Sequence, residues 1–332
     1  MIGLFAIVML TGCDRSLPVD SGPEPFVETL EPGAVHLLTT SLPRFAAQPA
    51  LVEYDLAFDE RWRFGLAEGG AQGAWRLEGG DTVFAAVSLP PDFDSSAVRI
   101  DAEGALVWDH GELFLAGLGF SHGVVPTPEG DWIALDTSGG RIVSFDEAGE
   151  ILWTYPFHEA GEPGSPNGIS LFDSPDEGTL LGVSLLERSG GTGEQALALL
   201  EHRGAGEPPV ERWRWRIQQS EGTVFPHGPR FTDDGELLIC LSSLGQVAAL
   251  DLEGDELWRV PADARAAALS FPRDAVLLPD GSLVVADGAA ELVRVHDPHG
   301  AFEIVSAVEV PDIFSVHPVV CAEGGGLPCL GS

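Results

Sequence analysis

The chain has 332 residues, of which 44% are hydrophobic and 21% charged. That composition can bury a large core and excludes a disordered chain or a bundle of membrane-spanning helices. Acids outnumber bases 52 to 17, for a formal charge of −35, and no lysine occurs. The missing ammonium rules out a Walker-type phosphate loop, a Schiff-base amine and a kinase site in their usual forms, and so acidic a surface repels nucleic acid. The acidity itself serves solubility.

Residues 1–12 contain an apolar run, Ile2 to Leu10, ending in LTGC at 10–13. The run is too short for a permanent bilayer span. LTGC resembles the bacterial lipobox, which implies removal of residues 1–12 and lipidation of Cys13, although no basic residue precedes the run. Residues 13–32, rich in Pro, Asp and Glu, read as a flexible tether, and residues 33–332 as the folded domain. The expected location is the bacterial cell envelope, on the periplasmic or cell-surface side, with the membrane touched through the lipid alone.

An envelope location permits disulfides. Cys321 and Cys329 bracket the flexible AEGGGLP and are the candidate pair, whereas Cys240, inside ELLICLSSL, reads as a buried free thiol. None of the cysteine spacings suits structural zinc.

A tryptophan recurs at the end of β-type segments, at Trp62, Trp108, Trp153, Trp213 and Trp258, with intervals of 46, 45, 60 and 45 residues; a further step of 46 reaches Ile304. Between them, apolar and polar residues alternate over short runs broken by Gly, Asp and Pro turns, the period of half-buried strands. Residues 120–157 predict four strands, SHGVVPT, DWIALD, RIVSFD and EILWTYP, and residues 226–260 and 272–304 repeat the plan. Four antiparallel strands in about 45 residues describe a propeller blade, so the fold class is all-β, a six-bladed β-propeller. The first copy lacks an opening strand, and the orphan FSVHPVVC (314–321) is expected to supply it, closing the ring. The tryptophans then pack between blades.

Counting back eight residues from the first hairpin glycine of a copy gives Gln72, His122, His227 and Arg273; the matching positions are Asn167 in the longer fourth copy and His317 in the closing strand. These six begin the innermost strands and are expected to converge at the channel mouth. His, Arg, Gln and Asn are 33 of the 332 residues yet fill every one of these positions, and no carboxylate is among them. Such a ring offers charge-assisted hydrogen bonds to an anion, with Arg273 as a planar fork and the histidines able to change charge near neutrality. Three imidazoles from alternate blades could instead hold a metal, and the six could simply satisfy strand ends and channel water. The expectation is a small anionic molecule or sulfate ester, with no metal and no cofactor. Extra residues in the fourth copy, including LERSGGTGEQ (186–195) with Arg188, would place a flap over the same mouth.

SHGVVPTPEGDWIALDTSGGRIVSFDEAGEILWTY and FPRDAVLLPDGSLVVAD resemble blades of NHL-repeat and arylsulfotransferase-like propellers, over about residues 33–322. The resemblance implies a six-bladed periplasmic propeller and, for the second family, sulfuryl transfer through a histidine. His227 and Arg230, in FPHGPRF, are the candidate nucleophile and its stabilising cation. The usual His-Asp pair and the additional amino-terminal domain of those enzymes are absent from the sequence. Three functions follow: a propeller binding a small anion, an arylsulfotransferase-like enzyme, and a scaffold holding a protein partner on its rim loops.

Overall fold

The computed structural model describes residues 34–41, 49–66, 69–77, 79–87, 95–114, 121–157, 164–187, 195–217, 224–261, 269–288, 291–296, 303–310, 313–321 and 329–330. The apolar start, Cys13, the tether and Arg188 lie outside them.

The chain runs through six antiparallel sheets. Blade 1 takes β1 (Val35–Ser41), β2 (Ala50–Asp55) and β3 (Glu60–Gly65), and blade 2 takes β4 (Gly70–Arg76), β5 (Thr82–Val87), β6 (Ser95–Ile100) and β7 (Leu106–His110). Blade 3 is β8 (Val124–Pro126), β9 (Trp132–Asp136), β10 (Arg141–Phe145) and β11 (Ile151–Pro156); blade 4 is β12 (Gly164–Ser174), β13 (Gly178–Glu187), β14 (Ala196–Glu201) and β15 (Val210–Arg216). Blade 5 is β16 (Pro226–Phe231), β17 (Leu237–Leu241), β18 (Gln246–Leu250) and β19 (Glu256–Val260); blade 6 is β20 (Pro272–Leu277), β21 (Leu283–Asp287), β22 (Glu291–His296) and β23 (Glu303–Glu309). β24 (Ile313–Cys321) then returns to blade 1 and pairs with β1, and β25 (Cys329–Leu330) pairs with its end.

The expected closing strand therefore holds. It joins residues 275 positions apart: Thr40 Oγ1 lies 2.8 Å from Ser315 Oγ. Successive inner strands touch around the axis, β24 against β4 and β20, β12 against β8 and β16, and β16 against β20. The long fourth copy is explained by β12 and β13, which run to 11 and 10 residues.

A blade is covered on both faces by its neighbours, so its middle strands are buried throughout; WIALD in β9, LLICL in β17 and LVVAD in β21 are uninterrupted cores. Each outer strand carries a tryptophan into the gap toward the next blade. Trp62, Trp108, Trp153, Trp213 and Trp258 lie in or against five separate clusters that join consecutive blades, and a sixth cluster joins blade 6 to blade 1 through Leu292, Val284, Leu37 and Val52. Trp213 donates Nε1–H to the Leu252 carbonyl of blade 5, and Trp108 to Glu147 of blade 3. The blade 6 counterpart is Ser306 rather than Ile304. Every outer strand bulges just before the tryptophan position; Trp153 pairs with Ser144 ahead of the register shift, and Ser306 pairs likewise with Arg294, while Ile304 pairs after it.

The last hairpin of most blades is set by an aspartate. Oδ1 of Asp101, Asp146 and Asp251 each accepts two backbone N–H groups from the turn that follows, as Asp55 does in blade 1.

Candidate functional site at the channel

The inner strands bring His122, Asn167, His227 and Arg273 around one cavity, whose lining also includes Arg230 and Asp274. The cavity offers about 30 Å³ to the centres of water-sized molecules, enough for roughly two waters or one small polar group. Gln72 and His317 are almost fully buried, at 1% and 0% exposure, and stand outside the lining.

Glycine after the ring residue is demanded by packing. Gly228 adopts φ +50°, and a Cβ there would lie 2.4 Å from the Arg273 carbonyl oxygen; after Gln72, Gly73 adopts φ +50° and faces Gly123 Cα at 2.9 Å. Strand openings this close to the axis leave no room for a side chain. The register shifts between His227 and Arg230, between Pro166 and Gly168 and between Pro272 and Asp274 lie at the same level. These bulges re-aim the ring side chains.

The hydrogen bonds fix the histidine tautomers. His122 Nδ1 lies 2.8 Å from Thr137 Oγ1, and that hydroxyl donates to the Pro166 carbonyl at 2.7 Å. A hydroxyl has one proton, so Nδ1 of His122 is the donor and Nε2 keeps a lone pair. The same construction holds His227: Nδ1 lies 3.0 Å from the Phe225 carbonyl and 2.8 Å from Ser242 Oγ, whose proton goes to the Pro272 carbonyl. Thr137 and Ser242 follow the second strands of blades 3 and 5, and both histidines line the cavity.

Burial, then the neighbouring charges, lowers both groups: His122 is pulled down to about 3, with His227 and Arg273 adding to the effect, and His227 to about 4, with Arg273 adding. The expectation that these histidines change charge near neutrality is thus corrected. They are neutral acceptors at pH 7. Asn167 adds a third acceptor, since Nδ2 donates to the Pro226 carbonyl at 3.2 Å and Oδ1 is buried with no hydrogen-bond partner among the described residues.

Arg230 does not serve His227. Beyond the bulge at Gly228 and Pro229 its guanidinium crosses to blades 6 and 1, donating to Asp274 Oδ2 at 2.7 Å, to the Val316 carbonyl at 3.0 Å and to His317 Nδ1 at 2.9 Å. His317 is thereby the opposite tautomer, with its proton on Nε2; burial and then Arg230 hold it well below the ordinary imidazole value. Its ring packs 4.3 Å from that of Trp75. Asp274 also corrects the expectation of a mouth without carboxylates. Burial raises this carboxyl while Arg230 opposes the rise, and the charged groups of the lining are Arg230, Asp274 and Arg273.

Nothing in the sequence spacing pointed to Asp274, Thr137 or Ser242, because their roles depend on contacts between blades. No group of three or more His, Cys, Asp or Glu suited to a metal occurs among the described residues. Cys240 is a buried free thiol, as expected, and the backbone register places Cys321 opposite Cys329.

The family model of the outer membrane protein assembly factor BamB matches residues 94–184, from the third strand of blade 2 into blade 4. A comparison with curated proteins finds no match. Among solved structures, a protein of unknown function from Bacteroides caccae is 16% identical over 86% of this chain and 98% of its own, with a TM-score of 0.59. A protein from Lactobacillus plantarum is 15% identical over 86% of this chain and 99% of its own, with a TM-score of 0.57. The catalytically inactive virginiamycin B lyase from Staphylococcus aureus with quinupristin is 13% identical over 90% of this chain and 95% of its own, with a TM-score of 0.52. At these identities what is shared is the propeller fold.

Proposed function

We propose that this chain is a propeller of the bacterial cell envelope whose channel cavity binds a small anion that also carries hydroxyl groups. One observation carries the reading: His122 and His227, held in the same tautomer with Nε2 unprotonated, line one cavity together with Arg273. Arg273 supplies a planar cationic fork for a carboxylate, the unprotonated Nε2 of each histidine can accept, and Asn167 Oδ1 asks for a donor. The LTGC motif at residues 10–13 supports the envelope location, as does the match to the assembly-factor family.

Titrating lactate into the soluble domain while following the histidine side-chain ¹⁵N signals tests this. Saturable shifts at His122 and His227 that vanish in Arg273→Gln are expected. Because the acceptors stay unprotonated, affinity should be flat from pH 8 to pH 5. Binding that strengthens as pH falls, or lactate shifts unchanged in Arg273→Gln, would overturn the reading.

A scaffold role is favoured by a separate observation, the aliphatic side chains on the outer strands: Val107, Ile151, Leu257 and Val305 are 48–52% exposed. The sulfuryl-transfer alternative requires the same unprotonated Nε2 as nucleophile. Turnover of an aryl sulfate with a phenol acceptor, abolished by His227→Ala, is its signature.

A further inference from the structure

We infer, resting on the scaffold reading and not on the channel cavity, that the outer rim shared by blades 2 and 3 docks a partner protein through an aliphatic stripe edged by lysine or arginine side chains.

Every outer strand ends its sheet and holds one extra residue at its bulge. The register puts Arg61, Val107, Leu152, Arg212, Leu257 and Val305 there, each immediately before the tryptophan position. Where that residue is arginine, a carboxylate of the same blade takes it: Arg61 binds Asp55 and Arg212 binds Glu177. Blades 2 and 3 are neighbours that each carry an aliphatic pair instead, because Leu106 precedes Val107 and Ile151 precedes Leu152, and all four are exposed.

The two pairs belong to one surface. The last hairpin of blade 3, residues 146–150, packs on the end of β7. His110 Nε2 lies 3.2 Å from the Glu147 carbonyl oxygen, the Glu147 carboxylate accepts from Trp108 Nε1 at 2.8 Å, and a Cβ at Gly149 would fall 2.7 Å from His110 Nδ1. Leu106 and Val107 therefore run up to this hairpin, and Ile151 and Leu152 leave it.

Charge decides the occupant. Glu103 and Glu150 are exposed beside the aliphatic residues, and the side chains of Glu147 and Glu112 are 53% and 61% exposed. Arg99 lies among them and is committed to Asp81 and Glu147. An apolar centre with a polar rim is the anatomy of a protein interface, and a rim of carboxylates selects a cationic partner. A second copy brings the same negative charge, −35 over the chain, and is repelled. The bulges interrupt both unpaired edges, so the partner engages side chains and does not extend either sheet as an added strand.

Calorimetric titration of the protein with a synthetic amphipathic helix, leucine on one face and lysine on the other, tests this beside the same helix with glutamate in place of lysine. The lysine helix is expected to bind, and to weaken about tenfold or more in the double variant Val107→Ser with Leu152→Ser; both positions are exposed, so the fold is kept. Leu257→Ser, at the blade 5 bulge, is expected to leave the affinity unchanged. An equal loss in Leu257→Ser, or a lysine helix indifferent to the double variant, means general attraction to an acidic surface and overturns the site. Binding of the glutamate helix, or dimerisation in sedimentation, that the double variant abolishes leaves the scaffold rim standing and overturns the cationic partner. Binding of neither helix together with no self-association overturns the docking site and, at this rim, the scaffold reading with it.

Discussion

Ser242 Oγ stands 2.8 Å from Nδ1 of His227 and gives its own proton to the Pro272 carbonyl of the next blade, so it joins the Phe225 carbonyl as an acceptor that keeps hydrogen on Nδ1 of His227. The sequence interval between the two, 15 residues, is the length of the inner hairpin. Histidine ¹⁵N spectra at pH 7 should show His122 and His227 protonated at Nδ1 and His317 at Nε2. Ser242→Ala should keep the His227 tautomer, because the Phe225 carbonyl still accepts, yet cost about 1–3 kcal/mol by leaving the Pro272 carbonyl without its donor. A change of tautomer would show that Ser242 alone fixes it.

Acid sensitivity follows from the same burial. His122 and His227, lowered to about 3 and about 4 in the fold, titrate near 6.5 when unfolded. The unfolded chain therefore binds more protons below pH 6.5, and stability falls as pH drops from about 6.5 toward 4. At pH 5 the loss is about 2 kcal/mol for a fully buried histidine, and somewhat less for His122, which faces the cavity. Urea unfolding across this range should give a slope that flattens in His227→Gln. A slope unaffected by that change would place the sensitivity elsewhere.

Much of this architecture was legible because it is local and repeated. Gly130, at φ +90°, turns the first hairpin of blade 3 as its place in PEGD implies; the Trp spacing gave blade number, and the orphan FSVHPVVC gave closure. The sixth repeat misled by two residues because a fixed interval cannot reveal a bulge; Ser306 is neither aromatic nor apolar. Of the six strand-start side chains, His122, Asn167, His227 and Arg273 share one cavity, and Gln72 and His317 do not line it. Their chemistry was hidden. Whether a histidine donates or accepts depends on Thr137 and Ser242 passing their protons to other blades. The destination of Arg230 depends on a bulge that carries it away from His227 toward Asp274, and neither contact leaves a spacing in one sequence.

The ion pair of Arg230 and Asp274, with both partners under 10% exposed, links blades 5, 6 and 1. Removing one member strands a buried charge, so Asp274→Asn should lower stability by about 3–5 kcal/mol. Replacing both, as in Arg230→Met with Asp274→Leu, should recover much of that loss. Denaturant unfolding of the two single variants and the double variant measures the coupling. Additive losses would mean that the pair contributes separately, through Val316 and His317.

Packing between blades predicts a contrast within one strand. Trp153, 6% exposed, fills the gap between blades 3 and 4, whereas Ile151, two residues earlier, is 50% exposed. Trp153→Ala should cost about 3–5 kcal/mol, and Ile151→Ala within about 0.5 kcal/mol. Comparable losses at both positions would mean that the exposed aliphatics are covered in solution, as a rim-docked partner or a second copy would cover them.

Closure through β24 makes the end of the chain a structural element rather than a tail. Cys321 and Cys329 are register partners in β24 and β25. Opposite residues of antiparallel strands have Cα atoms about 4.5–5.5 Å apart, inside the range a disulfide needs. Protein from an oxidising compartment should resist alkylation at both residues until reduced, while Cys240 reacts only on unfolding. A bridge there would close a short loop, so Cys321→Ser should destabilise the oxidised protein by about 2–3 kcal/mol and leave the reduced protein unchanged. Deleting residues from 313 onward removes the inner strand of blade 1 together with His317 and should abolish cooperative unfolding. If the truncated chain instead unfolds at the full-length midpoint, the ring is held shut by the contacts of blade 6 with blade 1 alone.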